Sequence, residues 1–187
     1  MSMLPGCFAT LDPASRRIKQ LQKGIIKEDT SFVYRLPYKD RPHIVVQGYF
    51  SRYSHKNRAA IDFKMKKGTE VLAARDGVVI RMRKDSRKGG ISKKYRTAAN
   101  LIVVQHSDGS RAGYWHLQYN GALVNVGDTV KQGQVIGLSG RTGYALFPHL
   151  HFIAWRSDPG GKWTQIGTRF QTSKGIRYLR PFRFYHQ

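Results

Sequence analysis

The chain has 187 residues, enough for one substantial core and a small appendage. Its Lys and Arg number 33 against 11 Asp and Glu, a formal charge of +22, with 40% hydrophobic and 12% aromatic residues. That is the composition of a folded protein, and no stretch approaches the length of a membrane span. The charge implies a polyanionic partner, whether nucleic acid, anionic lipid or an anionic cell-wall polymer.

Cys7 is the single cysteine, so no intrachain disulfide can form. It sits in "MLPGCF", which resembles the Leu-x-Gly-Cys lipidation box of bacterial lipoproteins. Such a box needs a basic segment and an apolar run before it, so an unmodified Cys7 is expected in the chain as given. "DPASRRIKQLQKGI" then predicts a helix, with Asp12 as N-cap, Pro13 at the first helical position and Ile18, Leu21 and Ile25 on one stripe. "TSFVYRLPY" and "HIVVQGYF" read as strands. Residues 1–45 are taken as an N-terminal extension and 46–187 as the main domain.

From residue 60 onward the pattern is all β. Strands are predicted over 60–64, 70–74, 77–83, 100–107, 111–117, 134–138, 150–156, 162–171 and 176–179, separated by Gly-containing turns. Many short strands at this spacing predict a sandwich or barrel-like pair of sheets. "KKGTEVLAARDGVVI" and "NVGDTVKQGQVIGLSG" resemble each other loosely and read as a pair of similar tight hairpins. The basic segment 83–100, "RKDSRKGGISKKYRTAAN", reads as a solvated, mobile connection. At the end of the chain, "RPFRFYH" has the chemistry to bind an anionic or sugar ligand, but packing against the sheet is the expectation.

Seven histidines occur, at 43, 55, 106, 116, 149, 151 and 186. "PHLHF" places His149 and His151 one residue apart in a predicted strand, where alternate side chains share a face about 7 Å apart. Asp62 sits in the apolar strand "AAIDF", where a carboxylate needs a partner, and a divalent cation is one candidate. His116 lies among large apolar residues in "GYWHL". Hydrolytic zinc sites use three protein ligands from His, Asp or Glu and leave a position for water.

Together, "AIDFKMKKGTEVLAARDGVV", "NLIVVQHSDGSRAGYWHL" and "VNVGDTVKQGQVIGLSGRTGYALFPHLHF" resemble the lysostaphin-type, LytM-like zinc endopeptidases that cut peptidoglycan cross-bridges. The resemblance runs from about residue 53 to 156. It implies a mainly β fold of the duplicated hybrid motif type, with two antiparallel sheets forming a groove. It also implies zinc held by an early His, by Asp62 and by His151, with His149 as general base and His116 stabilising the oxyanion. In the commonest family pattern the early His precedes the Asp by four residues, and Arg58 stands there in this chain. A guanidinium cannot bind zinc, so the resemblance assigns the third ligand to His55, in "RYSHKNRAAIDF". His106 is expected to be structural, and His43 and His186 are given no role in the site.

The function implied is zinc-dependent hydrolysis of peptide cross-links in peptidoglycan, in the periplasm, at the outer membrane or outside the cell. The alternative is an inactive LytM-like module that binds the wall or activates another hydrolase. No recognition helix, RNP-type aromatic segment or zinc-finger spacing is present, so nucleic acid is expected to bind weakly and without specificity.

Overall fold

A computed structural model describes residues 19–21, 23–25, 33–51, 54–55 and 58–187. Cys7, and Asp12, Pro13 and Ile18 of the predicted helix, lie outside these. Within that helix, residues 19–21 are helical and Gly24 takes a left-handed φ of 70°, which ends the turn. Ile25 falls beyond this stop and is 65% exposed, so it does not share the buried stripe of Leu21.

The remainder is strand and turn. In chain order the strands are β1 (Tyr34–Arg35), β2 (His43–Gln47), β3 (Ala60–Lys64), β4 (Glu70–Leu72), β5 (Gly77–Arg83), β6 (Gly89–Gly90), β7 (Asn100–Gln105) and β8 (Arg111–Ala122). They continue as β9 (Thr129–Val130), β10 (Val135–Ser139), β11 (Gly143–Tyr144), β12 (His149–Ser157), β13 (Trp163–Ile166), β14 (Arg169–Thr172), β15 (Gly175–Tyr178) and β16 (Phe184–Tyr185). The main sheet runs β16-β2-β3-β12-β8-β7-β5-β9, with β13 added to β12, and with β10 joining β8 to β4. A second sheet of order β1-β14-β15 and the pair β11-β6 complete the fold. It is mainly β and largely antiparallel, as expected; β1 with β14 and β11 with β6 are parallel pairs.

The sequence dictates which face is buried. On β12, Leu150 and Phe152 point into the core while His149 and His151 take the opposite face, the alternation a pleated strand imposes. Phe152 stacks edge-on against Tyr114 at 5.3 Å and Phe170 at 5.5 Å, and Phe63 meets Tyr38 at 5.3 Å. These rings, with Ile61, Ile102 and Leu36, fill the space between the sheets.

Three expectations are corrected. The two similar glycine-turn segments are not hairpins, because neither pairs with itself. Val135 and Leu138 of β10 face Leu72 and Glu70 of β4, and Val130 of β9 faces Gly77 of β5, so the segments interlock. The predicted strand 162–171 is two strands, broken at Gly167–Thr168, where the buried Tyr49 hydroxyl donates to the Thr168 carbonyl at 2.7 Å. There the chain passes from the main sheet to the second sheet.

The basic segment 83–100 is built rather than loose. It carries β6 and a 3₁₀ turn at Lys93–Tyr95. The buried Asn100 side chain clamps it, accepting from the Ser86 amide and donating to the Ser86 and Gln118 carbonyls, each at 2.9 Å. Many cationic side chains remain exposed on it.

Two further histidines are structural in their surroundings. His43 is buried between the Lys64 carbonyl at 2.9 Å and Asp40 at 3.0 Å, and His106 gives its Nδ1 hydrogen to the Asp76 carbonyl at 2.7 Å. His186 is exposed beside Ser173. The C-terminal "RPFRFYH" divides its rings: Tyr185 packs against the core, whereas Phe182 and Phe184 stay exposed. Phe182 also holds a φ of 60°, a left-handed conformation costing an L residue roughly 1–2 kcal/mol.

Truncating Phe152 to Ala is expected to cost about 3–5 kcal/mol, because three aromatic neighbours lose their common partner. The measurement is the urea midpoint at unchanged slope.

Candidate metal centre and active site

β3 and β12 are antiparallel neighbours, and their register sets His151 opposite Asp62 and His149 opposite Lys64. β8 flanks β12 on its other side with Trp115 opposite His151, and the strand then carries His116 at a left-handed φ of 67°. A strained non-glycine residue at such a point is a mark of functional sites. β2 lies beyond β3, with Gln47 opposite Asp62. The chain then leaves β2 at Gly48 and returns at Arg58, where the Phe50 amide donates to the Arg58 carbonyl at 2.9 Å. His55 is delivered from this loop, so strand parity does not constrain it.

Three side chains converge. His151 Nδ1 lies 2.8 Å from Asp62 Oδ1, His55 Nε2 lies 3.2 Å from the same oxygen, and the two ring nitrogens are 3.2 Å apart. All three residues are buried, and one atom from each forms a group able to hold a metal ion. Asp62 is 2% exposed. Arg58, at the position of the commonest family ligand, is exposed and outside the cluster.

Each member is oriented by a second partner. His55 gives its Nδ1 hydrogen to the Gly48 carbonyl at 3.2 Å, leaving the Nε2 lone pair for the centre. Gln47 donates through Nε2 to Asp62 Oδ2 at 3.0 Å, while its carbonyl oxygen receives the Ser51 hydroxyl and the Ser54 amide. Trp115 stands edge-on to His151 at 6.0 Å and to Trp155 at 5.4 Å. Partners that fix ring orientation in this way are the usual surroundings of metal ligands.

Beside the cluster stand His149 and His116. His149 Nε2 is 3.8 Å from Asp62 Oδ2, and its Nδ1 donates to the Phe147 carbonyl at 2.8 Å. His116 donates through Nδ1 to the Thr142 carbonyl at 2.7 Å. The ring centroids are 4.6 Å apart, and His116 lies 5.7 Å from His151. Both Nδ1 atoms face carbonyls, so both neutral rings carry the lone pair on Nε2. Gly140 is packed closely here: a Cβ there would strike the backbone of Leu117 and Gln118, the residues that follow His116. Gly140 also bridges to His149.

Burial and charge act in opposite directions on these groups. Burial raises the Asp62 carboxyl, but the hydrogen bond and charge of His151, with His55 and His149, outweigh it and hold Asp62 well below the usual carboxylate range. Burial depresses His151, with the Asp62 bond opposing. Burial, then the proximity of His149 and His151, pushes His116 down to about 3, so that ring is neutral at rest.

The structure therefore brings together all five residues singled out in the sequence: His55, Asp62, His116, His149 and His151. Gln47 and the carbonyls of Gly48, Thr142 and Phe147 were not anticipated. Only Thr142 left a trace, in "SGRTG"; a backbone carbonyl has no signature in sequence.

Comparison with known proteins gives a consistent result. Residues 55–162 match peptidase family M23. An uncharacterized metalloprotease of Buchnera aphidicola subsp. Baizongia pistaciae is 36% identical over 124 residues, 65% of this chain and 28% of its own. Lysostaphin of Staphylococcus simulans is 43% identical over 94 residues, 49% of this chain and 17% of its own. The peptidoglycan DD-endopeptidase ShyA of Vibrio cholerae is 38% identical over 91 residues, 49% and 18% of the two chains. Among solved structures, lysostaphin from Staphylococcus simulans superposes with a TM-score of 0.50 at 34% identity, over 66% of this chain and 47% of that one. A zinc containing peptidase from Vibrio cholerae gives 0.51 at 28% identity, over 66% and 36%. The chain thus spans less than a third of the length of these three sequence relatives. With more than half of its own residues matched, the conclusion for this molecule is that it belongs to peptidase family M23.

Proposed function

We propose that this chain is a zinc-dependent endopeptidase that hydrolyses peptide cross-links of bacterial peptidoglycan outside the cytoplasm. The observation that carries the reading is the triangle of His55 Nε2, Asp62 Oδ1 and His151 Nδ1, with edges of 2.8, 3.2 and 3.2 Å. A tetrahedral ion with bonds of about 2.0–2.1 Å has ligand–ligand edges of roughly 3.3–3.4 Å, so the triangle suits zinc with little movement. Calcium prefers more ligands, all oxygen, at longer range. A relative of similar fold is described as a zinc containing peptidase, and others as peptidoglycan or glycyl-glycine endopeptidases.

Zinc held there supplies a Lewis acid and a water acidic enough to be used near neutral pH. The remaining work falls to the chain. His149 offers an Nε2 lone pair beside Asp62, so it takes the water's proton and returns it to the departing amine. His116 faces the developing oxyanion. It donates to that oxygen only when its Nε2 is protonated, since Nδ1 already serves Thr142. The one proton taken from the water is held by the His149–His116 pair, whose ring centroids are 4.6 Å apart: while it rests on His116 Nε2 it faces the oxyanion, and it then leaves through His149 to the amine. The +22 charge favours a wall bearing carboxylates and other anionic groups, with salt-sensitive binding.

Purified protein incubated with cell-wall sacculi should release cross-bridge peptides, and a chelator should stop this. No release from protein shown to carry zinc would overturn the catalytic reading in favour of an inactive wall-binding module.

Replacing Asp62 or His55 by Ala should lower bound zinc from about one per chain to near zero, by elemental analysis. His149→Ala and His116→Ala should keep zinc yet lose roughly 10²–10⁴-fold in rate.

Without metal, stability should depend on pH. His106, His116 and His151 are all depressed in the folded state, chiefly by burial. The unfolded chain binds protons near pH 6.5 that the folded chain refuses, so stability is full above about that pH and falls below it. Thermal midpoints in chelator should be level from pH 8 to 7 and then decline with acid.

A further inference from the structure

The turn Arg180-Pro181-Phe182-Arg183-Phe184 is unlike the rest of the surface. Phe182 follows a proline and has a φ of 60°, a place where a turn ordinarily carries glycine. The turn is not loose. The Phe182 amide donates to the Val45 carbonyl at 2.7 Å, Val45 returns a bond to the Arg183 carbonyl at 3.0 Å, and the Arg180 amide donates to the Tyr185 hydroxyl at 2.8 Å. Pro181 lies against Gly48.

Strain in such a turn is normally offset by burying the ring. Here Phe182 is 69% exposed and Phe184 66%, so among the described residues neither the backbone conformation nor the wetted rings are compensated. A glycine would make the same turn at lower cost. Arg180 and Arg183 are exposed and alternate along the chain with the two rings.

We propose that this turn is a docking tip for an anionic lipid surface. Phenyl rings gain by entering the boundary between headgroups and acyl chains, while arginines beside them meet lipid phosphates. A soluble polyanion would engage the arginines and leave the rings in water, so the pairing of the two side-chain types favours a bilayer. The tip is coupled to the candidate centre, because Gly48, against which Pro181 rests, also receives the His55 hydrogen bond. Docking thereby holds the centre at a fixed orientation to the membrane. This inference is independent of the peptidase activity.

The test is co-sedimentation of the full chain with phosphatidylcholine vesicles, with and without added phosphatidylglycerol, beside Phe182→Gly. That substitution leaves net charge unchanged, so attraction due to charge alone is retained. Wild type should bind the anionic vesicles, with Phe182→Gly about tenfold weaker. The thermal midpoint of the variant should be equal or higher, because strain is relieved. Equal vesicle binding by the two proteins would overturn the proposal. So would a marked fall in the variant's midpoint, which would make the ring a packing element. An equal loss of affinity for inorganic polyphosphate would assign the tip to soluble polyanions instead, and no binding of wild type to anionic vesicles would also sink it.

Discussion

A carboxylate removed from water must be neutralised, protonated or surrounded by donors, and Asp62 is the point where this protein meets that constraint. His151 and His55 crowd one oxygen, while Gln47 and His149 face the other. These groups come from different parts of the chain: two from the start of the neighbouring strand β12, one from a loop and one from β2. The architecture of this half of the molecule is what delivers them to a single buried acid. Should any of them be displaced, the cost falls on Asp62, because a buried charge cannot borrow a replacement from solvent.

Precision in the arrangement comes from main chain more than from side chain. The carbonyls of Gly48, Phe147 and Thr142 each take an Nδ1 hydrogen, on His55, His149 and His116 respectively. A carbonyl accepts and never donates, so each fixes its ring's tautomer and leaves Nε2 available. Thr142 is itself pinned, its hydroxyl donating to the Leu117 carbonyl at 2.6 Å and accepting from the Asn100 amide at 2.9 Å. Asn100 in turn clamps the basic segment at Ser86, so that segment and the His116 ring rest on one buried hydrogen-bond network.

Period-2 alternation made the central strands legible: 60–64 and 77–83 have the bounds read from sequence, and the pairing of His149 with His151 follows from pleat parity. His55 was legible only through resemblance, since a ligand delivered by a loop obeys no period. Gln47 was not legible at all. Its role exists because β2 happens to pair with β3 in one register, a long-range fact that local pattern does not encode. The basic segment misled for a related reason. Its lysines and arginines argue for solvation, while the residues that order it, Ser86 and Asn100, are small and polar and look like loop residues. The break at Thr168 depends on a hydroxyl from Tyr49, more than a hundred residues away.

The interlocking of β4 with β10 and β5 with β9 has a consequence for how the chain acquires its shape. The first glycine-turn segment pairs through β5 with the nearby β7, but its β4 waits for β10, some sixty residues later in the chain. Closing so large a loop is entropically slow, and it leaves the edge of β4 open in the meantime. Neither segment is a self-sufficient unit, so β10 and the turn at Gly140 beside the centre depend on strands from distant parts of the chain rather than on a local hairpin.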